Sequence, residues 1–263
     1  MMRFLQIFVF SMVSFSAISQ NTFKLAPPYL QFESAFFTKE CRVSIEFDHP
    51  KTKIHYTTNG QTPTENDPVY SQPVLLNQAS NILKARVFLE GYSPSDVVEA
   101  SFYKSGLTID SVTTTLPNKF YPGSGPKALI DGKGGWNAFN HKTWTGFLSD
   151  TVTIDLNISK PQKIKSVLLH LLENQAAWIY LPQKVEVFAA KDGKDNYEMI
   201  ARETIEPGVI KGNSNCRALS LKIKKSPKTS RILLNIYPMV KIPEGLPGAG
   251  ERAWLFIDEV NLY

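Results

Sequence analysis

The sequence predicts an all-β protein built from two β-sandwiches, and three observations predict it. Short stretches of alternating apolar and polar residues recur along the chain, the two-residue period of a half-buried strand. Turn residues punctuate them at roughly ten-residue intervals. Helical periodicity is weak everywhere, apart from one turn around residues 126–130. The 263 residues give each of two units enough chain to bury a core of its own.

Residues 24–105 form the first predicted unit. Lys53-Ile54-His55-Tyr56-Thr57 alternates, which assigns Ile54 and Tyr56 to one face and Lys53, His55 and Thr57 to the other. Asn59-Gly60 follows directly as a turn signal, because both residues tolerate positive φ. Residues 83–87 alternate in the same way and stop before Gly91, and residues 98–103 supply a further strand. Pro63, Pro68 and Pro73 confine the stretch between to turns and edge segments, since proline donates nothing to a ladder.

Ser105-Gly106 marks a boundary, and residues 107–263 form the second unit. Strands are predicted over 152–156, 164–170, 184–190, 219–223, 232–236 and 254–262, with Asp192-Gly193 closing one turn. Four long loops separate them, over 131–146, 173–181, 203–215 and 239–252. Loops of such length on a β scaffold commonly carry function.

Met1-Met2-Arg3, an apolar run over 4–10 and a serine-rich stretch read as a secretory leader spanning residues 1–19. Ser11, Ser14 and Ser16 break the run, which is too short to span a bilayer, and no later segment reaches that length. The expectation is a secreted, periplasmic or cell-surface protein without a transmembrane segment. The net charge is +5, but the lysines (Lys84, Lys163, Lys165, Lys184, Lys222, Lys224, Lys225) are spread along strands and turns. That distribution predicts a solvated surface and no nucleic-acid partner. Cys41 and Cys216 fall one in each unit, so a bridge would have to cross between them; unpaired thiols are expected.

Two resemblances follow from particular residues. The segment Ile54-His55-Tyr56-Thr57-Thr58-Asn59-Gly60-Gln61-Thr62-Pro63-Thr64, then Tyr70 to Val74, Lys84-Ala85-Arg86-Val87 and Gly91 to Ser95, resembles the C-terminal sandwich domain of chitobiases and β-hexosaminidases. That implies an Ig-like accessory module without catalytic residues. Ala128-Leu129-Ile130-Asp131-Gly132, Trp144-Thr145-Gly146-Phe147, Ile154-Asp155-Leu156, Leu181 to Val187 and the closing Trp254 to Val260 are similar to a discoidin domain, also called the coagulation factor V/VIII type C or galactose-binding-like jelly roll. The variant is similar to the carbohydrate-binding tails of exported bacterial β-hexosaminidases. The catalytic barrel that precedes such tails has no counterpart in this sequence.

The resemblance implies glycan binding by loops gathered at one end of the jelly roll. A sugar ring offers C–H groups on one face and hydroxyls at its rim, so it is bound by an aromatic platform with a few fixed polar groups. The candidates are Trp136 and His141 in the first loop, Asn174 and Trp178 in the second, and Glu251 and Arg252 in the last. Each has an ordinary surface or packing role as its alternative. Trp144 and Trp254, each followed by apolar residues, are assigned to the core. The resemblance also implies a structural calcium ion on Asp131 and Glu259, although Lys133 stands where a further aspartate is usual. A cell-surface adhesion or protein-binding module, or an accessory subunit of a glycosidase, remains the alternative function.

Catalysis is not expected. Glycoside hydrolysis needs two carboxyl groups facing each other across the bond. Asp258 and Glu259 are neighbours on one predicted strand, which places their side chains on opposite faces. His49, His55, His141 and His170 fit no zinc spacing, and no Gly-x-Ser-x-Gly elbow occurs. Gly123-Ser124-Gly125-Pro126-Lys127 lacks the spacing of a phosphate loop and reads as a turn.

Overall fold

The computed structural model describes residues 23–191, 196–208 and 215–263. The predicted leader and the Asp192-Gly193 turn lie outside the described residues. The described chain is all-β, with helix confined to the two short 3-10 turns Pro126–Ile130 and Gln175–Ala177.

The N-terminal sandwich stacks two sheets. One contains β1 (Tyr29–Gln31), β3 (Cys41–Glu46) and β5 (Val74–Leu76); the other runs β2 (Phe36–Phe37), β7 (Val98–Lys104), β6 (Ser80–Phe88), β4 (Lys53–Thr57). Val43, Ile45, Leu76, Leu83, Ala85 and Phe102 meet between them. Ile54 and Tyr56 pack on this core, as their alternation predicts. His55 and Thr57 on the opposite face are buried too. The chain beyond Gly60 folds back over them: the Asp67 carbonyl lies 2.8 Å from His55 Nδ1, and Tyr56 N–H donates to the Pro68 carbonyl. A covered outer face is not visible in a two-residue period.

The C-terminal sandwich is antiparallel throughout. Its strands are β8 (Ser111–Thr114), β9 (Thr145–Phe147), β10 (Val152–Lys163), β11 (Ser166–Glu173), β12 (Lys184–Ala190), β13 (Tyr197–Thr204), β14 (Asn215–Lys222), β15 (Lys228–Tyr237) and β16 (Leu255–Leu262). One sheet runs β13-β12-β15-β10-β8 and the other β14-β11-β16-β9. Ile154, Leu156, Leu169, Leu171, Val187, Leu234 and Val260 fill the space between them. Facing sheets with interleaved apolar side chains make a stable core, and the connecting loops are left to vary.

One expectation about β16 fails. His170 pairs with Glu259 and Leu171 with Ile257, so Asp258 is the extra residue of a β-bulge. Ile257 and Val260 both point into the core. The two residues between them therefore both point outward, and Asp258 and Glu259 share a face instead of opposing one another.

That outer face is where the sandwiches join. Leu168, Ala218 and Tyr263 from the C-terminal sheet pack on Ala35, Phe36 and Tyr103. Ala35 N–H donates to the Gly134 carbonyl at 2.8 Å, and the Tyr263 hydroxyl donates to the Lys104 carbonyl at 2.8 Å. Ser34 Oγ donates to the Gly132 carbonyl and accepts from Gly134 N–H. Gly134 has to be glycine here: a Cβ would lie about 2.4 Å from the Asp258 carboxylate.

Candidate functional site

The loops after β11 and before β16 meet at one end of the C-terminal sandwich. Asn174 caps the 3-10 turn Gln175–Ala177 there, its side-chain oxygen accepting from Ala177 N–H at 3.3 Å. Trp178 ends the turn in the left-handed region, with φ 59° and ψ 27°. Among the described residues only Lys51 and Trp178 hold positive φ without being glycine. For a bulky side chain this conformation costs about 1–3 kcal/mol and persists only where its surroundings enforce it.

The surroundings are the last loop. The Trp178 carbonyl accepts from Trp254 N–H at 2.8 Å, and Tyr180 N–H donates to the Trp254 carbonyl at 3.1 Å. The Tyr180 hydroxyl ties down the Pro247 carbonyl at 2.8 Å. The next residue, Gly248, lies against the indole: a Cβ there would stand 2.6 Å from Trp178 Cδ1. Trp178 keeps 41% of its surface exposed. Gly248 also holds φ +79°, so Gly248→Ala meets both a clash and an unfavourable backbone. It is expected to cost about 1–2 kcal/mol and to change Trp178 fluorescence. Unchanged emission and stability would show that the ring does not depend on this contact.

The other candidates are held differently. Trp136 stacks on His141 (centroids 4.4 Å, interplanar 17°) and on Phe32 of the N-terminal sandwich (6.4 Å, 27°). Its ring is engaged in joining the two sandwiches. His141 Nδ1 lies 2.9 Å from Thr143 Oγ1. Arg252 forms an ion pair with Asp150, and Glu251 is exposed, its N–H donating to the Gly248 carbonyl. Thus Asn174, Trp178 and Glu251 belong to the meeting loops, whereas Trp136 and His141 form a separate contact set. Trp144 is buried and donates its Nε1–H to the Trp136 carbonyl at 2.7 Å; Trp254 is half-buried against Tyr121 (5.2 Å, edge-on).

Two residues that sequence reasoning missed lie beside the loop end. Glu173 is buried, takes Gln175 Nε2–H on one oxygen and pairs with Arg217 Nε on the other. A carboxylate closing the apolar run of β11 was a legible signal. Arg217 stands on β14, and only the pairing of β11 with β14 brings it there.

The seam holds the acidic candidates. Asp258 accepts from Gly135 N–H at 2.9 Å and pairs with His170 Nδ1 at 2.6 Å. Phe36 meets the imidazole edge-on at 5.1 Å, and Trp144 stacks on it at 5.9 Å. Glu259 accepts from Gly132 N–H at 2.9 Å and from the Asn261 amide at 3.4 Å. Burial, reinforced by the fields of Asp258 and Asp131, pushes the Glu259 carboxyl up to about 9. Burial also raises Asp131, against the opposing pull of Lys133. Both outward carboxylates are thus engaged by protein groups.

A divalent cation finds a partial match at this seam. Glu259 is a buried carboxylate whose partners are neutral, and Asp131 is close enough to raise its pKa. These two would be the ligands. The described residues contain no group of three or more His, Cys, Asp or Glu side chains placed to share an ion. Carbonyls and water would have to complete the six to eight oxygens that calcium takes.

Without a cation, the folded pKa near 9 stands above the ordinary 4.5. The folded state then holds an extra proton between those values. Its contribution to stability is complete below the unfolded pKa and is lost as pH rises toward 9. In chelator, denaturant unfolding at pH 5 and pH 8 is expected to show a larger loss in the wild type than in Glu259→Gln. Parallel pH profiles would remove Glu259 as the cause.

Residues 43–102, which lie in the N-terminal sandwich, match the family model described as Fn3 associated. Among curated proteins none matches the chain. Several solved structures are similar. The C-terminal domain of a chitobiase from Bacteroides fragilis is 23% identical, over 60% of this chain and 95% of that one, with a TM-score of 0.39. A Clostridium perfringens CBM32 in complex with GalNAc-β-1,3-galactose is 18% identical, over 58% and 94%, with a TM-score of 0.37. A Ruminococcus gnavus GH29 fucosidase in complex with fucose is 14% identical, with a TM-score of 0.34; 58% of this chain aligns, spanning only 24% of the fucosidase. Likeness at this level does not say what this chain binds.

Proposed function

We propose that the protein is an exported, non-catalytic carbohydrate-binding protein, with an Ig-like unit over 24–105 and a discoidin-like unit over 107–263. Trp178 is its stacking platform, and Asn174, Glu251 and Arg252 are the polar groups around it. The observation that carries the reading is the indole of Trp178, held out to solvent in a left-handed backbone by the 247–254 segment. A strained, exposed aromatic ring is retained where it contacts something. Trp136 and His141 support the site by joining its first loop to the N-terminal sandwich.

Calcium enters this proposal as a structural ion on Asp131 and Glu259. It would supply charge compensation at the seam and take no part in sugar contact. Adding calcium is then expected to flatten the pH slope of stability described above, since it keeps Glu259 ionised.

A glycan array probed with the whole chain tests the main reading. Binding to a defined set of glycan ends supports it. Silence across the array, with capture of a surface protein or of a glycosidase, supports the second reading, a protein-binding or accessory module. Leu116 and Phe120, 87% and 72% exposed on one loop, favour that second reading.

A further inference from the structure

Beside the loop end lies a cleft of about 330 Å³ between β11, β14 and residues 205–208. That is the lower end of the range of small-ligand pockets, about 300–1,000 Å³. Half-buried Leu181, Ile205 and Leu219 form apolar walls, and Glu173, Arg217 and Tyr180 supply polar ones. Glu173 is 5% exposed and locked by Gln175 and Arg217. Its hold on Arg217 Nε, at 3.1 Å, fixes the plane of the guanidinium. The two terminal amino groups of Arg217 carry no hydrogen bond among the described residues.

We propose that this cleft is the pocket for the end ring of a neutral saccharide, with the Arg217 fork donating to two neighbouring hydroxyl oxygens on the ring and Glu173 accepting from a hydroxyl. The inference deepens the carbohydrate-binding reading and rests on it. The charges decide for a neutral ligand. Among the described residues, Glu173, Glu206 and Arg217 are the charged ones lining the cleft, and together they carry no net positive charge to draw an anion. A planar fork of donors beside a carboxylate with unused lone pairs matches vicinal hydroxyls, which donate and accept together. The apolar walls suit the C–H face of a ring. Tyr180 links the pocket to the platform: it lines the cleft, and its hydroxyl holds Pro247 next to the Gly248 that supports Trp178. A pocket takes a chain end, where a flat platform would accept any ring along a chain.

The test is an NMR titration of the full ¹⁵N-labelled chain with methyl β-D-galactoside, methyl β-D-glucoside and glucuronate. At least one neutral glycoside is expected to shift the amide signals of Tyr180, Arg217 and Leu219, and glucuronate to bind more weakly. Arg217→Gln is expected to weaken the neutral glycoside about tenfold or more, as loss of charge-assisted hydrogen bonds does, and to lower Tm as well, because Glu173 is left buried without its charged partner. Arg217→Lys, which keeps the charge and loses the fork, is expected to weaken it as well. Unmoved signals around Arg217 with both neutral glycosides, unchanged affinity in Arg217→Gln, or tighter binding of glucuronate would each overturn the proposal. The two readings separate cleanly. Shifts confined to the Trp178 indole keep the platform and remove the pocket; shifts around Arg217 that survive Trp178→Ala keep the pocket and remove the platform.

Discussion

Asp258→Ala is expected to destabilise the fold by about 2–5 kcal/mol, since it leaves two enclosed polar groups without their partner at about 1–3 kcal/mol each. Asp258 is 0% exposed and His170 is 1% exposed. Removing the carboxylate leaves the imidazole enclosed by Phe36, Tyr103 and Trp144 without its acceptor, and orphans Gly135 N–H. Both losses fall on the seam, so the two sandwiches are expected to loosen together. Asp258→Asn keeps an acceptor for Gly135 and should cost less. The exposed pair Lys24–Asp96 is the control, since Asp96→Asn removes a solvated contact worth about 1 kcal/mol or less. Urea unfolding measures all three. A loss under about 1 kcal/mol for Asp258→Ala would mean that water or rearranged polar groups replace the carboxylate.

Trp178→Ala is expected to abolish measurable glycan binding while leaving the fold intact. A central aromatic anchor contributes about 2 kcal/mol or more to binding, roughly thirtyfold or more in Kd. The effect on folding is smaller because two terms oppose. Alanine gives up the packing of the indole on Gly248. It also relieves part of the strain of a large residue at positive φ. Tm is therefore expected to move by only a few degrees. Glycan binding that persists in Trp178→Ala would assign the stacking role to another ring. Phe120, exposed and adjacent to Tyr121, is the next to examine.

Much of this architecture is written in the alternation of the chain. β4, β6, β10, β12 and β15 each show the period that identifies them, because one face of each meets a core. β3 alternates as cleanly, with Cys41, Val43 and Ile45 inward, yet it is not among the strands expected from the sequence. β2 and β9 are two and three residues long, too short for any period to show. The bulge at Asp258 is hidden because an inserted residue changes no composition; it appears only as a shift in pairing with His170 and Leu171. The seam is hidden for a related reason. Phe36 and Leu168 each read as core residues of their own sandwich, and nothing local says that they touch.

The candidate site was legible in part. Long loops pointed to Asn174, Trp178, Glu251 and Arg252, and pairing between residues 178–180 and 254 does bring those loops together. The packing of Trp136 between His141 and Phe32 depends on how the sandwiches dock, which local sequence does not encode. The left-handed backbone of Trp178 carries no glycine or asparagine to announce it, and the residues that meet it, Gly248 and Trp254, lie far along the chain.

The indole Nε1–H signal of Trp178, followed in an NMR titration with a saccharide that the array identifies, tests the account most directly. That signal is expected to shift progressively with saccharide, while the buried Nε1–H of Trp144, bonded to the Trp136 carbonyl, stays in place. Saturable saccharide binding that leaves the Trp178 signal unmoved would contradict it.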